Sequence, residues 1–203
     1  MGPYGLEADK KKAKLKKATL VFIDEAGIMM SPTVRKTWAP CGKTPILKHK
    51  TRSHRKISAI GEISVRHSGR SARVMFRLLE GKNMRTAECI QFLIQLKQNI
   101  RGPIIIIWDR LQAHRSKALN VWLAGEQRIE LEYFPPYAPE LNPVEYLWAH
   151  LKSHELANFC AFDLEGLYRE TKSKLCSMRP CFGILVESVT HCNFARFFQS
   201  LAV

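Results

Sequence analysis

The run Ile104-Ile105-Ile106-Ile107-Trp108 constrains the fold more than any other stretch of this 203-residue sequence. Consecutive large apolar residues leave no polar face, so the segment reads as a central strand covered on both sides. Arg101-Gly102-Pro103 stops whatever precedes it, and Asp109 ends it. A second apolar, partly β-branched run, Thr19–Ile23, also ends in a carboxylate, Asp24. Ala26-Gly27 and Ser31-Pro32 are expected to break that strand.

Around these two runs the periodicity alternates. Arg55–Val65 and Ala72–Leu79 read as two strands separated by His67-Ser68-Gly69-Arg70, an antiparallel meander following the first strand. Thr86 is placed to cap a helix to about Asn99, with Ile90, Leu93 and Ile94 on one face. Ser116–Leu123 reads as a short helix, Ile129–Phe134 as a last strand, and Pro135–Pro139 as a rigid loop. From Pro143 a helix places Val144, Leu147, Trp148 and Leu151 at amphipathic spacing, and Phe162–Leu175 reads as another. The prediction is an α/β chain: a mixed sheet of three antiparallel strands followed by strand–helix units, flanked by helices. Residues 1–17, ending in a lysine-rich run, read as a basic flexible leader, and residues 18–203 as one domain.

The charge speaks to partners. Thirty-two Lys and Arg against 18 Asp and Glu give +14 at pH 7, and a polyanion such as nucleic acid is the partner that balance suits. Much of it is concentrated between Thr33 and Arg73. Eleven basic residues stand there (Arg35, Lys36, Lys43, Lys48, Lys50, Arg52, Arg55, Lys56, Arg66, Arg70 and Arg73) against the single acid Glu62. Such imbalance favours a phosphate-tracking surface over a merely solvated loop, with Lys48, Lys50, Arg52, Arg55 and Lys56 as its centre. Arg110, Arg115 and Lys152 are further candidate DNA contacts; Lys152 falls on the helix face of Glu145. Tyr137 and Trp148 could stack on bases, although the spacing of Trp148 favours packing.

No apolar run is long enough for a membrane span or a secretory leader, and no basic amphipathic helix suits a membrane surface. Six cysteines without a Cys-x-x-Cys pair read as free thiols in a reducing, cytoplasmic setting. Cys176, Cys181, His191 and Cys192 do not match a familiar zinc framework.

Asp24 and Asp109, each closing an apolar strand, could share one oxygen-rich pocket at the sheet edge, where ligands of such sheets gather. Glu145, in the first turn of its helix, could join them. Each acid has a structural alternative. Asp24 could form a turn before Gly27, and Asp109 could cap the helix that follows. Asn142-Pro143-Val144-Glu145 has the capping-box pattern, with Asn at the N-cap and Glu at N3.

Three segments carry a resemblance: Phe22-Ile23-Asp24-Glu25-Ala26-Gly27, Trp108–Ser116, and Pro135–Trp148 with its Leu141-Asn142-Pro143-Val144-Glu145 core. Together they resemble the catalytic domain of mariner-like insertion-sequence transposases over roughly residues 18–155. The resemblance implies a ribonuclease-H-like fold and an Asp-Asp-Glu triad of Asp24, Asp109 and Glu145. The triad would hold two Mg²⁺ or Mn²⁺ ions for DNA cleavage and joining of 3′-OH ends to target DNA. His114 matches a histidine often found there, contacting DNA or positioning the site, with a purely structural role as the alternative; Asn142 is a second accessory candidate. DNA as partner, a homodimer in a synaptic complex and a bacterial, nucleoid-associated location are also implied. Upstream helix-turn-helix modules are usual in the family, so the chain reads as the catalytic half, its DNA-recognition part a separate subunit or domain. Another ribonuclease-H-like nuclease, or a non-catalytic domesticated remnant that binds DNA, are the competing readings.

Overall fold

Strand β1 (Thr19–Met29) is the middle of a five-stranded sheet ordered β3-β2-β1-β4-β5 in this computed structural model, which describes residues 4–48, 55–67, 72–111, 114, 116–135 and 138–179. Strands β2 (Lys56–Val65) and β3 (Ala72–Glu80) form the antiparallel meander the sequence predicts, and β1 pairs antiparallel with β2. Strands β4 (Ile104–Trp108) and β5 (Ile129–Tyr133) extend the other side in parallel. β1 continues through Ala26-Gly27 instead of breaking there. Ala26 pairs with Ala59, Gly27 with Ser58 and Ile28 with Ile57, so the β2 ladder satisfies the backbone and overrides the local turn preference.

Period-2 alternation divides the core into two layers. Leu20, Phe22, Ile105 and Ile107 face helices α4 (Pro143–His150) and α5 (Leu164–Met178), joining Val144, Leu147, Trp148, Leu164 and Leu167. Val21, Ile23, Ile104, Ile106 and Trp108 face α2 (Thr86–Asn99) and α3 (Lys117–Ala124). All five residues of β4 are buried, as a strand covered on both faces requires.

The helices start where their caps dictate. Ser116 caps α3, Asn142 caps α4 and Asp163 caps α5 through side-chain acceptors for backbone N–H groups. On α2 the N-cap is Arg85 rather than Thr86, and the buried stripe is Cys89, Phe92, Leu93 and Leu96. Ile94, expected on that stripe, is exposed, because the i, i+3, i+4, i+7 row seeded by Cys89 is the one that meets β4. α4 runs on into a π-helical turn, Leu151–Glu155.

Residues read from sequence within a flexible leader form helix α1 (Tyr4–Lys16). Ala13 is fully buried, Lys12 pairs with Glu130 and Glu132, and Lys16 pairs with Glu130, on the edge strand β5. Among the described residues no helix is long and apolar enough to cross a membrane.

Candidate active site

The parallel register brings two strand-end carboxylates level. Phe22 is paired with Ile107, so Asp24, in the middle of β1, and Asp109, just past the end of β4, come level two residues further on. The third acid arrives on α4, whose position three contacts determine. Asn142 accepts from Val144 N at 3.1 Å and donates from Nδ2 to the Ile23 carbonyl at 3.1 Å, tying the helix start to the backbone just before Asp24. Trp148, one helical turn after Glu145, lies over Gly61, the residue paired with Asp24 on β2. Asp24, Asp109, Asn142 and Glu145 consequently line one cavity of about 520 Å³, with Arg110, Leu111, Phe134, Pro135, Ala138 and Pro139 completing its wall. Asp24 is therefore a mid-strand residue rather than a turn former, and Asp109 does not cap α3, since Ser116 does.

Adjacent residues on β1 face opposite ways, and Glu25 follows from that rule. Asp24 faces α4, while Glu25 reaches the α2 side. Carboxylate oxygens of Asp24, Glu25 and Asp109 nonetheless come within 4.8 Å of one another around the strand end. Glu145 lines the same cavity outside that close group. Asp24 is the most perturbed of these acids: burial, then the charges of Glu145, Glu25 and Asp109, push its carboxyl up to about 8. Its Oδ2 is buried with no hydrogen-bond partner. An orphaned carboxylate oxygen amid like charges is the donor arrangement a divalent cation compensates, and an all-oxygen set suits a hard ion such as Mg²⁺ or Mn²⁺.

His114 organises the other side of Asp109. Its Nδ1 lies 2.5 Å from Asp109 Oδ1 and its Nε2 lies 3.1 Å from Glu25 Oε1. The ring stacks on Trp108 at 3.9 Å between centroids, and the Tyr133 hydroxyl donates to the His114 carbonyl at 3.2 Å. Burial lowers the imidazole pKa, but hydrogen bonds to Asp109, Cys89 and Glu25 outweigh it and push the value up to about 11. Leu111 N also donates to Asp109 Oδ1, at 3.0 Å. Both of these bonds fall on Oδ1, which leaves Oδ2 as the oxygen for a ligand.

Glu25 and Cys89 were missed by sequence reasoning. The signal for Glu25 was its position beside Asp24, whereas nothing in the sequence relates Cys89 to His114. The expected DNA contacts are scattered. Arg110 is exposed at the cavity, Lys48 is exposed on the segment after β1, and Arg55 and Lys56 stand at the start of β2. Lys152, in the π-helical turn, lines a separate cavity with Gly27, Ile28 and Met29. Lys50, Arg52, Arg115, Tyr137, Cys181, His191 and Cys192 lie outside the described residues. The segment after β1 is pinned to the turn beyond α4 by Asn158, which bonds both Arg35 N and Arg35 O, and then leaves Trp38 fully exposed.

The family model of the DDE superfamily endonucleases matches residues 19–163. No curated protein matches the chain significantly. Among solved structures, the Mos1 strand transfer complex aligns with a TM-score of 0.63 and 20% identity over 97% of this chain and 57% of its own. The Mos1 mariner paired-end complex with Mn gives 0.64 and 18% over 97% and 58%. The catalytic domain of Mos1 mariner transposase gives 0.58 and 16% over 100% and 94%. The chain thus spans under two thirds of the longer Mos1 chains and nearly all of the catalytic domain. At these identities the likeness carries the fold, and the mixed sheet with flanking helices is the ribonuclease-H-like architecture of that domain.

Proposed function

Because this chain belongs to the DDE superfamily of endonucleases, we propose that it is a transposase catalytic domain that cleaves DNA and joins the freed 3′-OH to target DNA. Asp24, Asp109 and Glu145 are the catalytic carboxylates of this reading. The observation that carries it is the buried, unpartnered Oδ2 of Asp24, a residue that lines one cavity with Asp109 and Glu145. These oxygens would hold two Mg²⁺ or Mn²⁺ ions, which supply a water of lowered pKa and charge neutralisation at the scissile phosphate.

The chain's own groups do the rest. In the cleavage step an oxygen–phosphorus bond forms from water while the phosphorus–O3′ bond breaks, leaving a 3′-OH and a 5′-phosphate. In strand transfer that 3′-OH is the nucleophile. Asp109 is held by His114 and Leu111 N so that its free oxygen keeps one direction. Asn142 holds the start of α4, and with it Glu145, against β1. Arg110, which lines the cavity, would contact a non-bridging phosphate oxygen. The basic segment from Arg35 to Lys56 tracks the DNA backbone, which gives affinity that falls steeply with salt and depends little on sequence. Dimeric synapsis and a helix-turn-helix part for recognising transposon ends complete the proposal.

Plasmid nicking in Mg²⁺ tests it. The parent chain should nick and Asp109→Asn should not, with DNA binding retained; equal nicking by both would remove Asp109 from the mechanism. Products joined to a target duplex separate a transposase from a nuclease, which gives hydrolysis alone.

A further inference from the structure

On the far side of β1 from the carboxylate cavity, we propose that Glu25, Cys89 and His114 form a second cation site, selective for a thiophilic divalent ion such as Zn²⁺. One ligand atom from each residue lies within 4.8 Å of the other two. Tetrahedral zinc separates such N, O and S ligands by roughly 3.3–3.6 Å, and the Nε2–Oε1 separation of 3.1 Å already lies close to that spacing. Cys89 is fully buried and His114 is 1% exposed, while the Glu25 side chain is 15% exposed and opens the route in.

The surroundings are those of a metal-binding histidine. His114 Nε2 points at Glu25, and Nδ1 is engaged 2.5 Å from a carboxylate, Asp109. Zinc-bound histidines keep that same outer carboxylate, which fixes the ring and raises its basicity. Stacking on Trp108 removes the remaining freedom of the imidazole. Cys89 sits in the first turn of α2 with its Sγ within 4.8 Å of a ring nitrogen of His114.

The ligand set selects the ion. A thiophilic cation is bound by a deprotonated thiol and a neutral imidazole nitrogen, the displaced protons passing to solvent. A hard ion takes oxygen ligands and gains little from a thiolate. Glu25 also belongs to the close carboxylate group with Asp24 and Asp109. Occupancy of the second site would therefore withdraw Glu25 from the first. The site stands whatever the carboxylate cavity catalyses.

Cobalt titration of the reduced, chelator-stripped full chain tests this. With Mg²⁺ in excess to fill the carboxylate cavity, the expected result is about one tetrahedral Co²⁺ per chain, read from its visible bands and a near-ultraviolet thiolate-to-cobalt charge-transfer band. Zn²⁺ should abolish the band and excess Mg²⁺ should not. Cys89→Ser should remove the charge-transfer band, and Glu25→Gln should weaken binding at least about tenfold. A wild-type chain without the band, a band displaced by Mg²⁺, or a band retained in Cys89→Ser would overturn the site. If Cys89→Ser does not fold, alkylation of the wild-type chain read by peptide mass spectrometry decides. Zn²⁺ must protect Cys89 from the reagent, and equal labelling with and without Zn²⁺ counts against the proposal.

Discussion

The Trp148 indole lies so close over Gly61 that a Cβ on the glycine would come within 2.8 Å of Cζ2 and 2.9 Å of Cη2. Gly61 pairs with Asp24, and Trp148 follows Glu145 on α4, so this contact sets the height of one carboxylate over another. Gly61→Ala should shift α4 outward, costing about 1–3 kcal/mol of stability. Nicking should fall by more than the loss of folded protein accounts for. Adding Trp148→Leu should recover part of the thermal stability. A fully active, equally stable Gly61→Ala protein would contradict the contact.

His114 contacts Asp109 through Nδ1, and the proposed mechanism has it act through that carboxylate. His114→Ala should lower the cleavage rate about 10–100-fold, the range for losing an outer partner of a metal-ligating carboxylate. DNA affinity should hold, and the concentration of Mn²⁺ needed for half-maximal rate should rise. A rate loss with no change in metal dependence would assign the histidine a purely structural role.

Asn142 links a helix start to a strand end. Asn142→Ala loses both the cap and the bond to Ile23 O, and should cost on the order of 1–3 kcal/mol in denaturant unfolding. Asn142→Asp keeps the cap acceptor and loses the donor to Ile23, placing a further negative charge beside Asp24. It should retain more stability than Asn142→Ala yet cleave no faster. If it cleaves like the parent, the tie to β1 is dispensable.

Glu62 gives a pH dependence. Burial pushes its carboxyl up to about 8, against the lowering effects of Ser64, Arg73 and Arg179, and Oε2 has no partner. The folded pKa exceeds the unfolded value of 4.5, so the protonated acid favours folding. That stability is fully present below about 4.5 and is lost as pH rises through about 8. Glu62→Gln should remove this loss and make the chain more stable than the parent at neutral pH by roughly 1–3 kcal/mol. Parallel stability curves for the two proteins across that window would sink the assignment.

Much of the fold was legible because its signals are local. The apolar run of β4, the β2–β3 meander and the α4 start each depend on neighbouring residues, and each lies within one residue of the expected bounds. Where tertiary pairing competes with local preference, the reading failed. β1 passes through Ala26-Gly27 because β2 supplies its ladder, and the α2 stripe was assigned to Ile94 although Cys89 and Phe92 face the sheet.

Spacing and flanking motifs in the sequence alone were enough to nominate Asp24, Asp109 and Glu145, because strand-end and helix-start carboxylates are written in local pattern. Only the tertiary structure decided which acid is buried without a partner, and that Glu25, Cys89 and His114 meet behind Asp109. Parallel pairing of β1 with β4 and packing of α2 on the opposite face create those neighbours. Burial and mutual charge then set the chemistry, and both depend on distances between residues far apart in the chain, which no local pattern encodes.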